Sequence, residues 1–188
     1  MRPRNRLIIF VKEPHPGRVK TRLGAGIGLV QAAWWFRHQS QRLIRRLSRD
    51  ARWRTVLAVS PDREGLMSRV WPDHLARRAQ GSGDLGDRMM RALSEDGPAM
   101  IIGSDIPDIT AADIAAGFRA LGDHDAVFGP ADDGGYWLIG FRHAPPRDLF
   151  QGVRWSTEHA LADTLANLAG WRVGFLRTLK DVDEASDL

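Results

Sequence analysis

The sequence contains no cysteine. Disulfides, thiolate metal sites and cysteine nucleophiles are therefore excluded, and a reducing cytoplasm is the natural setting. Long apolar runs are missing too. The longest near the start is Leu7–Val11, whereas a signal peptide needs a longer one and a membrane span about 20 residues. Internal repeats, low-complexity tracts and linkers are also lacking, so residues 1–188 read as a single domain. Lysine is scarce: of 27 basic residues, only Lys12, Lys20 and Lys180 are lysine. In a chain so rich in arginine and alanine, most arginines say little individually.

Apolar types make up 43% of the chain and charged types 27%, the composition of an ordinary globular protein. The net charge of +4 conceals an asymmetry. Residues 1–94 hold 20 basic and 7 acidic side chains, and residues 95–188 hold 7 basic and 16 acidic ones. A basic first half and an acidic second half suit a site that grips phosphates with one half and a metal with the other. Solvated surface charge would give the same totals.

Arg6–Lys12 (RLIIFVK) has the nearly unbroken apolar character of a strand covered on both faces. Thr55–Ser60, Ala99–Ser104, Asp125–Gly129, Trp137–Phe141 and Arg172–Leu179 read as further strands. Leu29–Ala51 has apolar residues at helical spacing and an arginine-bearing polar face. Thr110–Leu121 opens on a capping box, Thr110 to Asp113, and Ser156–Leu168 reads as another helix stopped by Gly170. Strands alternating with helices predict an α/β protein with a mainly parallel sheet.

Five segments could carry chemistry. The first, Lys12–Leu23, directly follows the first strand, where doubly wound sheets bind ligands. Gly17 allows close backbone approach, and Arg18, Lys20 and Arg22 supply phosphate-binding cations. A P-loop is excluded, because no G-x-x-x-x-G-K-[ST] is present. In the second, Gln80–Gly86, Gly81, Gly83 and Gly86 mimic a dinucleotide fingerprint. It lies mid-chain after a weak segment, so a ligand-facing loop or a plain turn that opens a helix fits better. The third, Gly103–Asp108, puts Asp105 just beyond an apolar strand, a fitting ligand for a hard cation. Asp108 is either a second ligand or a helix cap.

The fourth, Gly129–Gly140, holds Asp132, Asp133, Tyr136 and Trp137. An aspartate there could bond a sugar hydroxyl, and either aromatic could pack on a ring. Asp133-Gly134 also predicts a type I′ hairpin turn. The fifth holds Asp181 and Asp183, which either reach a metal or begin a last helical turn. Ser156 and Thr157 could touch an acceptor or simply cap a helix.

In order these segments give K-x-P-x-P-G-x-V-K-T-R-L, Q-G-x-G-D-L-G-x-R-M, G-S-D-x-P-D, G-P-x-x-D-G-G-Y-x-L-x-G, L-F-x-x-x-x-W-S-T and D-V-D. From about Leu7 to Leu188 the chain resembles the bacterial glycosyltransferase-like proteins of the GT-A, nucleotide-diphospho-sugar transferase superfamily, some of them arsenosugar-biosynthesis glycosyltransferases. The resemblance implies a single-domain GT-A fold, a three-layer α/β/α sandwich. It implies a nucleotide-binding set of Lys12, Gly17, Lys20, Arg22, Gln80 and Gly86. It implies a divalent metal, Mg²⁺ or Mn²⁺, at Asp105, with Asp183 the candidate second ligand. Asp105 is followed by Ile106 and Pro107, so the motif is not a strict D-x-D.

The expected reaction is transfer of a sugar from a nucleotide-diphosphate sugar to a small-molecule acceptor. Asp133 is the candidate base, with Asp132 behind it. Related nucleotidyltransferases share the fold and the metal aspartate, so attack on the α-phosphate of an NTP with release of pyrophosphate is the alternative. A nucleic-acid partner is not expected. The seven arginines of residues 37–54 share a helix with an apolar stripe, without interleaved exposed aromatics, and read as a solvated face.

Overall fold

A computed structural model describes residues 5–188. The strands are β1 (Arg6–Lys12), β2 (Arg54–Ser60), β3 (Ala76–Ala79), β4 (Ala99–Ile102), β5 (Ala126–Pro130), β6 (Tyr136–Phe141) and β7 (Val173–Phe175). The helices are α1 (Thr21–Ile27), α2 (Leu29–Leu47), α3 (Asp62–Leu66), α4 (Leu85–Leu93), α5 (Ala111–Ala120) and α6 (Ala160–Ala166), followed by a 3₁₀ turn at Ala185–Asp187. All seven strands join one sheet in the order β3-β2-β1-β4-β6-β5-β7. Only β6 runs against its neighbours.

Period-2 alternation along the strands builds two cores. Leu7, Ile9 and Val11 of β1, with Leu57, Val59, Met100 and Ile102, pack under Leu43, Ile44 and Leu47 of α2 and Ile114 of α5. On the other face Ile8, Ala58, Ile101, Phe128 and Ile139 pack under Met89 and Leu93 of α4 and Leu161 and Leu165 of α6. The result is the expected α/β/α sandwich.

Topology fixes where loops can converge. β1 to β4 are parallel, and β5 and β7 run with them because β6 alone is reversed. The segments after β1, β3, β4, β5 and β7 therefore all leave the same edge of the sheet. That edge carries Lys20, Gln80, Asp105, Asp133, Asp181 and Asp183.

Several expectations shift. The strand expected to end at Ser104 stops at Ile102. The last strand contracts to Val173–Phe175, and Leu179 makes only an isolated bridge to Ala131. The helix expected from Ser156 begins at Ala160. Ser156 has a left-handed φ of 59°, and Thr157 donates its hydroxyl to the Arg154 carbonyl. The turn after β5 is not type I′, which needs positive φ at both central residues. Only Gly134 has it, at +84°, because a register shift at Gly129/Pro130 leaves a five-residue connection, 131–135, before β6. Trp137 is 2% exposed and donates its indole N–H to the Arg177 carbonyl, while Tyr136 sits edge-on to Phe128. Neither is placed to stack on a ligand. The arginine face of α2 is exposed; Trp34, within the same helix, is exposed and lies against His38, whereas Trp53, after the helix, is buried.

Candidate functional site

The first-strand loop ends at Lys20, which adopts a left-handed φ of 46° immediately before α1. A lysine held there is strained and persists only where its surroundings over-determine it. They do so through two buried anchors. Val19 packs with Ala33 and Phe36, and Leu23 packs with Ala32 and Val182. The lysine side chain is consequently 7% exposed.

Three carboxylates meet its ammonium. Nζ lies 2.8 Å from Asp105, 3.1 Å from Asp183 and 3.8 Å from Asp181. Asp105 is set by buried Ile106 on one side and by Ser104 on the other, whose carbonyl accepts the Ser40 hydroxyl. Asp181 and Asp183 flank Val182, whose burial against Leu23 and Ala32 aims both acids at the lysine. Asp183 also accepts from Arg22 at 2.7 Å, and its backbone N–H donates to Asp187. Basic residues of the first half thus meet acidic residues of the second at one point.

Electrostatics follow the geometry. Burial works against the Lys20 charge, but Asp105 and Asp183 outweigh it and hold the ammonium above its ordinary pKa. Burial also pushes the Asp183 carboxyl up, yet Lys20 and Arg22 bring it below the usual carboxylate value. Asp181 goes the other way. Burial, with Asp105, Asp183 and Asp133 nearby, raises it despite Lys20. Asp133 is thus near enough to act on this cluster electrostatically. Its loop is tied to the C-terminal segment by the Leu179 N–H to Pro130 and the Asp132 N–H to Leu179, and its own carboxylate accepts from the Gly135 N–H at 2.9 Å.

The remaining candidates are placed differently. Lys12, the last residue of β1, and Gly17, on the loop after it, stand exposed. Gln80 is buried, and its amide donates to the carbonyls of Val11 and Ala58, so its donors brace β1 and β2 instead of facing a ligand. Gly86 is explained by packing, since an added Cβ would press on Phe150 and Trp155. The loop 80–84 opens α4 through a capping box between Asp84 and Asp87. Asp108 is exposed and caps nothing; Thr110 and Asp113 cap α5, while the Asp108 carbonyl accepts from Arg177. An open depression of about 650 Å³ lies along the same loop, lined by Glu13, His15, Pro16, Arg18 and Glu64, with none of the three aspartates in its wall.

The donor chemistry suits a hard cation. Three carboxylates within 4 Å of one nitrogen converge on a point the size of a cation, and carboxylate oxygens are the ligands that Mg²⁺ and Mn²⁺ take. Among the described residues no three acidic or imidazole groups make a ready metal cluster; the lysine ammonium holds the point instead.

The fold is that of a nucleotide-diphospho-sugar transferase-like α/β protein. The chain belongs to DUF2064, a family of uncharacterized proteins conserved in bacteria, whose profile matches residues 43–157. A crystal structure of a candidate nucleotide-diphospho-sugar transferase from Desulfovibrio desulfuricans superposes with a TM-score of 0.87 at 33% identity, over 97% of this chain and 83% of that one. Rv0371c of Mycobacterium tuberculosis in complex with manganese matches at TM-score 0.57 and 14% identity, over 100% and 96% of the two chains. A cytidylyltransferase from Leptospira borgpetersenii matches at TM-score 0.61 and 12% identity, over 98% and 83%. These last two show the fold alone. A comparison with curated proteins gives no match. Among the described residues no helix is long and apolar enough to cross a membrane.

Proposed function

We propose that the protein transfers a sugar from a nucleotide-diphosphate sugar to a small-molecule acceptor, in a single domain. The observation that carries this reading is the convergence of Asp105, Asp181 and Asp183 on Lys20 at the carboxyl edge of the sheet. The relative from Desulfovibrio desulfuricans, itself a candidate transferase of this kind, supports it.

Asp105 and Asp183 would hold Mg²⁺ or Mn²⁺, with Asp181 beside them. Such an ion, when bound, acts as a Lewis acid that neutralises charge on the leaving diphosphate. Lys20 and Arg22 supply fixed positive charge to the same leaving group, and Gly17 lets the loop backbone come close. Stabilisation of this kind acts where charge develops, so loss of one contact costs roughly 10²–10³ in rate. Asp133, on the loop after β5 and close enough to act on the cluster electrostatically, would be the base for the acceptor hydroxyl in an inverting reaction. Its carboxylate is exposed and held by a single backbone N–H, which leaves oxygen lone pairs free for a proton.

The test is a thermal-shift panel of UDP-, GDP-, ADP- and dTDP-sugars and free NTPs, with and without Mn²⁺. At a hundredfold excess over Kd a ligand of the native state adds about 2.7 kcal/mol, or about 5 °C or more for a chain of this size. At least one sugar nucleotide should give a metal-dependent shift that Asp105→Ala abolishes. Product analysis then separates the chemistries. A nucleoside diphosphate supports sugar transfer, pyrophosphate from an NTP marks nucleotidyl transfer, and no shift with any nucleotide overturns both.

A further inference from the structure

We infer that Lys20 is an exchangeable counter-ion: its ammonium neutralises the aspartate cluster in the free protein and competes with a divalent cation, which binds tightly only when a diphosphate draws the lysine away. The inference rests on the reading of the site given above and concerns how that site is loaded.

The geometry is specific. One nitrogen, on a side chain 7% exposed, is shared by Asp105, Asp181 and Asp183. Among the described residues these three carboxylates are the oxygen donors that converge on the nitrogen, so a metal ion held by them and the ammonium must compete for one position. Two cations at hydrogen-bonding distance repel strongly in a partly dry site. A divalent ion therefore displaces the lysine or stays out. Displacement strands a buried ammonium without a partner, which is costly unless another anion receives it. The diphosphate of a nucleotide is such an anion. The lysine sits at the end of the first-strand loop, on the edge of the sheet where nucleotides are expected, and a lysine is a mobile point charge on a four-carbon stem. Metal and diphosphate should accordingly bind together, each weak alone, because the diphosphate accepts the lysine that the metal evicts.

Arg22 provides the contrast within the same site. It contacts only Asp183 among the three acids, and its side chain is 70% exposed. Its guanidinium can swing into water when a metal arrives, so it should impose far less exclusion.

The test needs no nucleotide and therefore fails or succeeds apart from the thermal-shift panel. Binding of Mn²⁺ alone is measured by electron paramagnetic resonance titration on wild type, Lys20→Met, Lys20→Arg, Arg22→Met and the double variant Lys20→Met/Asp105→Asn. Lys20→Met should bind Mn²⁺ about tenfold or more tightly than wild type, within the ordinary range of couplings between two ligands. Lys20→Arg should stay near wild type, Arg22→Met should gain much less, and the double variant should lose the gain. Equal Mn²⁺ affinity in wild type and Lys20→Met overturns the inference, as does an equal gain in Arg22→Met. A second measurement on the unaltered protein stands even if Lys20→Met does not fold. With only three lysines in the chain, acylation by acetic anhydride read by mass spectrometry gives three separate rates. Mg²⁺ should raise the Lys20 rate several-fold and leave those of Lys12 and exposed Lys180 unchanged. A Lys20 rate that saturating Mg²⁺ does not alter refutes the exchange.

Discussion

Single residues decide how tightly the carboxyl edge of the sheet is drawn together, and Gly134 is the clearest case. Its φ is +84°, and an added Cβ would collide with the backbone of Glu158. The Gly134 carbonyl in turn accepts the Leu161 N–H at the start of α6. The Asp133 loop is thereby pinned to a helix by close backbone approach that only glycine permits. Gly134→Ala combines a left-handed penalty of about 1–2 kcal/mol with a backbone clash. The expected loss is about 2–4 kcal/mol, seen as a lowered urea midpoint with an unchanged slope. Gly97 makes a suitable control. Its φ is also positive, but nothing lies within 4 Å of the Cβ it would gain. Gly97→Ala should cost only the conformational part, about 1 kcal/mol. Equal losses at the two positions would show that the contact with Glu158 contributes nothing.

At the scale of elements, α5 shows how a capping pattern read from sequence becomes a pH-dependent lock. Thr110 and Asp113 form the expected reciprocal box, and Asp113 also accepts two hydrogen bonds from Arg177 in the segment after β7. Burial alone would raise the Asp113 carboxyl, but Arg177 and Thr110 prevail and set it at about 2, against an ordinary 3.8. A depressed carboxylate stabilises the fold above its unfolded pKa, and the contribution fades as pH falls toward the folded one. Wild type should therefore exceed Asp113→Asn in urea midpoint at pH 5. The gap should narrow steadily from pH 4 toward pH 2. A gap that is constant with pH would mean that the charge on Asp113 plays no part.

The same element shows what sequence reveals. β1, β2, α2 and α5 are legible because each is long enough for its apolar period to stand out. β3 is not: it is a four-residue edge strand, Ala-Arg-Arg-Ala, and three of its residues are exposed. α1 and α3 are too short, at seven and five residues, for a helical period to show. Trp137 was open to misreading because it comes just after the Gly134-Gly135 turn, whereas β6, buried from Trp137 to Phe141, places it in the core. For the site, each acid and the lysine stand out locally, at a strand end or in a short motif. Their meeting does not, since Lys20 and Asp183 are 163 positions apart and only the shared direction of the strands brings them to one edge. Lys20 reads from sequence as a phosphate ligand, and nothing local shows that three carboxylates hold it.

For the whole molecule, the division into a basic first half and an acidic second half becomes a closing contact. The last residues return to the first helix. Asp183 joins Lys20 and Arg22, Val182 fills a cluster with Leu23 and Ala32, and Ala185 lies against Gly26. Lys180 and Asp187 pair at 2.7 Å and brace the segment internally. A pair whose lysine stands in solvent contributes little, whereas burial of one valine contributes about 1.5 kcal/mol or more. Ending the chain after Leu179 should therefore lower Tm by at least about 3–6 °C, mainly through lost apolar contact, with a further loss as Lys20 is left buried beside Asp105 alone. Charge and packing separate in the point variants. Val182→Ala should reproduce much of the drop at any salt concentration. Asp183→Asn should give a smaller drop, most visible at low ionic strength, where screening is weakest. A truncated chain that melts like the full one would show that the C-terminal segment is not part of the folded unit, and the aspartate cluster would then have to be rebuilt around Asp105 without Asp181 and Asp183.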